Sequence, residues 1–215
     1  SGLMIIDQHR ADIRIRYERY LAQLKARTAG SQCVLFPEVI QFSPSEEVVL
    51  EKILPELNAM GFDMSDLGHH SYGLNAVPTG MDGIDYVQLV KDMVSDTIGK
   101  GVGNLDEIHA SLALSMARYA AIPQGQVLSN EEMETIVNEL FACSNVNYTP
   151  NGKAVLCILP QREIEQLYAE RKTLVMESEQ MIMSLLEAAD QQPMQTGAYL
   201  TELDQIMLAE AEFPS

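Results

Sequence analysis

The chain has 215 residues, of which 47% are hydrophobic and 21% are charged; this composition supports a packed core and excludes wholesale disorder. The net charge of −17 disfavours broad contact with the phosphates of nucleic acids, because like charges repel each other. Apolar runs stay well short of the roughly 20 residues needed to span a bilayer, so we expect no membrane association.

The cysteines favour a reducing, cytoplasmic setting over a disulfide scaffold. Cys33, Cys143 and Cys157 are odd in number and form no CxxC pair. We expect each of them to be a small apolar core residue. No basic region followed by an apolar segment opens the chain, which argues against a secretory signal. Because the sequence starts in a predicted strand, we expect it to be part of a longer protein.

Apolar spacing in the first half of the chain predicts strands and helices in alternation. Residues 3–6 are predicted to form a short buried strand, and residues 11–26 a helix. A second strand is predicted at 33–42, where Pro37 indicates an edge strand or a bulge. The next helix, at 44–60, has the start signal of a serine cap, a proline at the first position and a glutamate three residues after the cap. Two short strands follow, and a link at 78–83.

The second half is predicted to be mainly helical. The expected helices lie at 85–98, 105–121, 129–140 and 160–171, and the expected strand lies at 154–159. Ser129, with Glu132 three residues later, predicts a capping box at the start of the third of these helices. Residues 99–103, GKGVG, lack the arrangement of a phosphate-binding loop and are expected to form an ordinary loop. Residues 149–153 are expected to form a turn. The segment 173–215 has eight acidic residues and no Lys or Arg, and its apolar spacing predicts an acidic helical tail.

Three stretches carry a family resemblance: IIDQHRADIRIRYE at 5–18, MARYAAIPQGQVLSNEEMETIVNEL at 116–140 and TPNGKAVLCILPQREIEQLY at 149–168. In this order and spacing they resemble the C-terminal domains of MutL proteins, which act in DNA mismatch repair. The stretch from Val34 to Pro78 resembles the small outer subdomain of that family. The resemblance covers roughly residues 3–170.

The resemblance implies an α/β (α+β) fold of two subdomains, with small mixed sheets flanked by helices. Residues 1–31 and 79–172 would form the dimerisation subdomain, residues 32–78 the inserted outer, regulatory subdomain, and residues 173–215 a tail outside the family pattern. A large ATPase region precedes this domain in the family. ATP and Mg²⁺ are therefore expected only in that region, and no cofactor is expected here.

Many members of the family nick DNA, and the resemblance shows how much of that site is present. Carboxylates and a histidine on adjacent helical turns can hold divalent metals for phosphodiester hydrolysis. Asp7, His9 and Glu18 match the nuclease motif. However, Arg10 replaces the alanine that follows the histidine, and Ile13 replaces the first glutamate.

The remaining ligand positions are also substituted. Arg118 and Thr149 stand where the family has cysteines, and Asn151 stands where it has a histidine. Zinc prefers thiolate and imidazole, and an arginine opposes the binding of a cation. We therefore expect a degraded endonuclease site with no bound metal and no catalysis by this segment. The alternative is a metal-dependent nicking endonuclease that uses Asp7, His9 and Glu18.

Without a metal, the polar residues of this motif need structural roles. Asp7 is expected to cap the following helix. His9 is expected to be a hydrogen-bonded structural histidine. His69 and His70 are expected to be solvated, and His109 to be packed.

Residues 32–37, QCVLFP, are similar to the QxxLxP-type motif through which MutL and other repair proteins bind the replication sliding clamp. Such a motif presents a glutamine for hydrogen bonding and apolar side chains for a pocket. Gln32, Leu35, Phe36 and Pro37 would make the contacts. The alternative is that Leu35 and Phe36 are strand residues that face the core.

The sequence therefore predicts a homodimerising, partner-recruiting module in DNA mismatch repair, the repair of one class of DNA damage. The expected partners are a second copy, the sliding clamp and other mismatch repair proteins, with DNA bound only weakly or through the rest of the protein. The helix at 105–121 and the strands are candidates for the dimer interface, and the methionine-rich tail is a candidate to extend it. An unrelated acidic α/β enzyme would require a convergent polar cluster, which the sequence does not indicate.

Overall fold

The computed structural model of the chain describes residues 2–81, 83–100 and 103–190. The α/β class is confirmed. By contacts, the described residues divide into a larger unit, 4–157, and a smaller one made of 2–3 and 158–190. In chain order, the elements are β1 (Gly2–Ile6), α1 (Gln8–Ala26), β2 (Ser31–Gln41), α2 (Pro44–Ala59), β3 (Asp63–Gly68), β4 (Ser71–Pro78), α3 (Tyr86–Lys100), α4 (Leu105–Ala120), α5 (Asn130–Ala142), β5 (Leu156–Pro160) and α6 (Gln161–Asp190).

Helix starts follow their local signals. The predicted capping boxes are present at the start of α2, where Ser43 and Glu46 bond each other's backbone, and at the start of α5, at Ser129. The hydrogen bond from the backbone N–H of Ser43 lowers the pKa of Glu46, since it stabilises the charged carboxylate. α1 begins at Gln8, three residues earlier than predicted, because Asp7 caps it by accepting from the backbone N–H of Arg10.

A three-stranded antiparallel sheet has the order β2-β4-β3. β3 and β4 form a hairpin whose two turn residues, His69 and His70, have φ values of 54° and 60°. β2 is an edge strand with a bulge between Cys33 and Glu38, as Pro37 predicted. The bulge leaves residues 34–37 outside the register with β4.

The largest core cluster lies within the larger unit. It joins side chains of the segment 32–78, such as Leu50 and Ile53, to Leu89 of α3 and Leu112 of α4. The outer segment and the helices of this unit therefore bury their apolar faces against each other, which is the main source of its stability. The division into 1–31 with 79–172, 32–78 and 173–215 stays a prediction.

Some predictions about burial were wrong. β1 is not buried: Leu3, Met4 and Ile5 are each about half exposed, because a two-stranded sheet of β1 and β5 covers them only in part. Cys33 and Cys157 are exposed rather than in the core.

Helix α4 stays a prediction as part of the dimer interface. Its residues from Ser111 to Ala117 are buried within the chain, so only its exposed positions, such as Leu105, are available to a partner. Gly99 and Lys100 belong to α3 instead of a loop, while Gly101 and Val102 lie outside the described residues.

Helix α6 continues through the start of the predicted tail to Asp190. The rest of that tail, 191–215, lies outside the described residues. None of the helices in the described part of the chain is both long and apolar enough to cross a membrane.

Candidate functional site

The bulge of β2 presents two large apolar side chains to solvent. Leu35 is 91% exposed and Phe36 is 84% exposed. The alternative that both face the core is therefore wrong. Gln32 lies just before the bulge, where it pairs with Val77 of β4 and is partly buried.

This segment has the features of an apolar docking peptide. Its backbone is extended, and residues 34–37 are left out of the sheet register. The side chains of Leu35 and Phe36 project into solvent, whereas Val34 packs against the main core. Exposed leucine and phenylalanine side chains lose unfavourable contact with water when they enter an apolar pocket. The bulge can therefore bind a partner through side-chain insertion.

The second candidate is the junction between β1 and α1, where Asp7, Gln8 and His9 all make hydrogen bonds within the chain. Besides capping the helix, Asp7 makes an ion pair of 3.1 Å with Nε of Arg10. His9 Nδ1 lies 2.7 Å from the carbonyl oxygen of Ile122, so that nitrogen donates its proton and only Nε2 could still bind an ion. The expected cap at Asp7 and the expected structural histidine at His9 are both confirmed.

Glu18 has different partners. Its carboxylate accepts from the backbone N–H of Ser144, at 2.9 Å, and from the Ser144 hydroxyl, at 2.7 Å. Arg14 lies 3.6 Å from the same carboxylate. Glu18 therefore fixes the chain after α5, and the structure records no contact that joins it to Asp7 or His9.

At three of the other family ligand positions, 13, 149 and 151, the side chains have structural roles, while Arg118 is exposed on α4. Ile13 is buried against Leu114 and Ala117 of α4. Thr149 is buried, and its hydroxyl bonds Asn151 and the carbonyl oxygen of Lys153 within the predicted turn. In the part of the chain that the structure describes, no three His, Cys, Asp or Glu side chains come close enough to hold a metal ion. The residues present do not fit the metal that the family implies.

A polar cavity of about 160 Å³ lies between α3 and α4. The hydroxyl of Tyr119 donates to Asp92, and Ser115 donates to Asp96 at 3.1 Å. Burial, followed by the bond to Asp92, raises the pKa of Tyr119 to about 12. These groups bond each other, so their polar atoms serve the packing of the two helices. Sequence reasoning missed this cluster, although the four-residue spacing on each helix is a signal for it.

A buried polar pair connects α2 to α4. Nε2 of His109 lies 2.6 Å from the carboxylate of Glu56, and both side chains are only 8% exposed. The other oxygen of Glu56 is 3.3 Å from Arg27. The expectation that His109 is packed is confirmed. His70, expected to be solvated, is exposed and also contacts Glu47.

Comparison with known proteins shows which family this chain is similar to. The model of the family described as MutL C terminal dimerisation domain matches residues 1–128. The DNA mismatch repair protein MutL of Bacteroides fragilis is 51% identical over 168 residues, which are 78% of this chain and 27% of that protein. The MutL proteins of Phocaeicola vulgatus and Porphyromonas gingivalis are 45% and 35% identical with the same coverage. The chain thus spans about a quarter of the length of these relatives.

Proposed function

Since the chain belongs to the family of MutL C-terminal dimerisation domains, we propose that it is the homodimerising, partner-recruiting module of a DNA mismatch repair protein, with a degraded endonuclease site. The observation that carries this proposal is the exposure of large apolar side chains on its outer surfaces. An isolated chain would leave these side chains in water, at a cost that a partner removes.

The dimer surface that we propose includes the outer face of α5. Met133, Val137 and Phe141 recur every four residues and are 45%, 37% and 51% exposed. They form one line along the helix, while Ile136 and Leu140 pack inward. A second copy that covers this line would bury apolar area of the kind found at the centre of homodimer interfaces.

We expect the chain to be a dimer in sedimentation equilibrium, and Phe141→Glu to weaken dimerisation about 100-fold, or about 3 kcal/mol. The introduced carboxylate would have to be desolvated in an apolar interface. Asn138→Glu is the matched control, since it adds the same charge to an exposed position of the same helix. A monomeric wild type would contradict the proposal. A fully dimeric Phe141→Glu variant would show that the interface does not include this face of α5.

For the bulge of β2, we propose the replication sliding clamp as the partner. Support comes from the resemblance of QCVLFP to clamp-binding motifs and from the exposure of Leu35 and Phe36. The apolar pair would enter a pocket, with Gln32 available for hydrogen bonds.

Purified clamp should bind the wild-type chain weakly, and Gln32→Ala combined with Leu35→Ala should abolish that binding. Surface plasmon resonance with immobilised clamp would measure it. Leu67→Ala is a suitable control because Leu67 is an exposed leucine on β3, in the same sheet but away from the bulge of β2. Equal binding by the double variant and the wild type would refute the assignment of this motif.

The charge of the chain supports protein partners over DNA. With a net charge of −17, contact with DNA would have to be local or come from the rest of the protein. We further propose that the module acts in the cytoplasm without a cofactor of its own, alongside other mismatch repair proteins. The hydrogen bonds that Asp7, His9 and Glu18 make within the chain support the degraded site over the nicking alternative.

A further inference from the structure

Arg10, which replaces an alanine of the family motif, makes two contacts that join distant parts of the chain. Its Nε lies 3.1 Å from Asp7, and its Nη1 donates to the carbonyl oxygen of Ala154 at 2.8 Å. The backbone N–H of Asp7 in turn donates to the carbonyl oxygen of Val155 at 2.9 Å. The guanidinium thus lies between the start of α1 and the end of the loop before β5.

Arg14, one turn further along α1, holds the other side of the same loop. Its side chain is only 9% exposed, and its Nε donates to the carbonyl oxygen of Tyr148 at 2.7 Å. Glu18 lies 3.6 Å away and balances its charge. Two successive turns of α1 therefore each present a guanidinium to a backbone carbonyl of the segment 147–155.

The loop between these two anchor points is a closed turn with few apolar contacts of its own. The turn is closed by a β-bridge between Tyr148 and Ala154. It is also closed by the hydrogen bond from the N–H of Thr149 to the carbonyl oxygen of Lys153. Val155 is the residue of this segment that joins an apolar cluster. Fixing such a turn against a helix requires polar bonds, since it has little apolar surface to bury.

We propose that Arg10 and Arg14 are a built-in replacement for the metal at this junction, and that their guanidinium groups hold the segment 147–155 on α1 without any ion. Each supplies a fixed positive charge and several N–H donors. A divalent cation would have to displace the Arg10 guanidinium from Asp7, and of the imidazole nitrogens of His9 only Nε2 is available to it. The inference does not depend on dimerisation or on clamp binding.

Hydrogen exchange tests the arginine half of the inference. In Arg10→Ala, amides within 145–155 should exchange about 10-fold faster than in the wild type, while the sheet of β2, β3 and β4 keeps its protection. Arg14→Ala should give the same local pattern with a fall in Tm of about 5 °C. Arg19→Ala is the matched control, because Arg19 lies on the same helix but pairs with Glu139 at the exposed surface. Unchanged exchange in Arg10→Ala overturns the inference.

A metal titration tests the other half and needs no variant. The Tm of the wild-type chain should be the same in EDTA, in ZnCl₂ and in MnCl₂, and calorimetry with Zn²⁺ should show no stoichiometric binding. A Tm that falls in EDTA or rises with either metal would overturn the proposal. Because this arm uses the wild type, it remains decisive even if Arg14→Ala fails to fold.

Discussion

Replacing Glu56 with alanine is expected to lower the free energy of unfolding by about 3–5 kcal/mol. The Glu56 carboxylate is buried and lies 2.6 Å from Nε2 of His109. His109 is buried as well, and its Nδ1 has no hydrogen-bond partner among the described residues. Without Glu56, both imidazole nitrogens would be left buried and unpaired, which is far more costly than the loss of an exposed bond.

Urea unfolding followed by circular dichroism would measure this loss, and two further variants would identify its cause. Arg27→Ala removes the partner that is 61% exposed, so it should cost less than about 1 kcal/mol. Combining Glu56→Ala with His109→Ala should cost less than the sum of the single changes, because the two residues share one bond. Additive costs would show that the two side chains act separately.

Local signals explain why most helices could be predicted from the sequence. A capping serine with a glutamate three residues later fixes a helix start through bonds within one turn, and both such signals were correct. Pro37 likewise indicated an edge strand and a bulge, since proline lacks the N–H that a ladder requires. Burial was harder to predict. The apolar run of β1 indicates a covered strand, but it does not show whether the cover comes from the same chain or from a partner.

The candidate site likewise has some features that the sequence indicates and others that only the structure shows. The sequence indicated the QCVLFP segment and the substituted ligand positions, because both are recognised from residue types alone. The exposure of Leu35 and Phe36 became known only from the fold. The sequence did not reveal the bonds of Arg10 to Ala154 or of His109 to Glu56, whose partners are 144 and 53 residues apart. The sequence shows that Arg10 lies three residues after Asp7. Only the fold shows that the carbonyl oxygen of Ala154 lies within hydrogen-bond distance of the Arg10 guanidinium.

The loss of the metal site that we propose also involves the packing of α1, so we expect that a single reversion does not restore metal binding. Ile13 stands where the family has a glutamate, but its side chain is buried against Leu114 and Ala117 of α4, with Tyr17 and Tyr20 nearby. We expect Ile13→Glu to lower the free energy of unfolding by at least about 3 kcal/mol, because an unpaired carboxyl group would replace an apolar side chain in that cluster. Isothermal titration with ZnCl₂ should still show no binding.

The matched variant Ile13→Val shortens the same side chain without adding charge, and it should cost only about 1 kcal/mol. The contrast between the two variants, measured by urea unfolding, separates the cost of burying a carboxyl group from the cost of a small cavity. A stable Ile13→Glu variant that binds Zn²⁺ would contradict this prediction, because it would mean that the side chain at position 13 can leave the apolar cluster and reach an ion. It would also mean that the structural roles of Asp7 and His9 are compatible with metal binding.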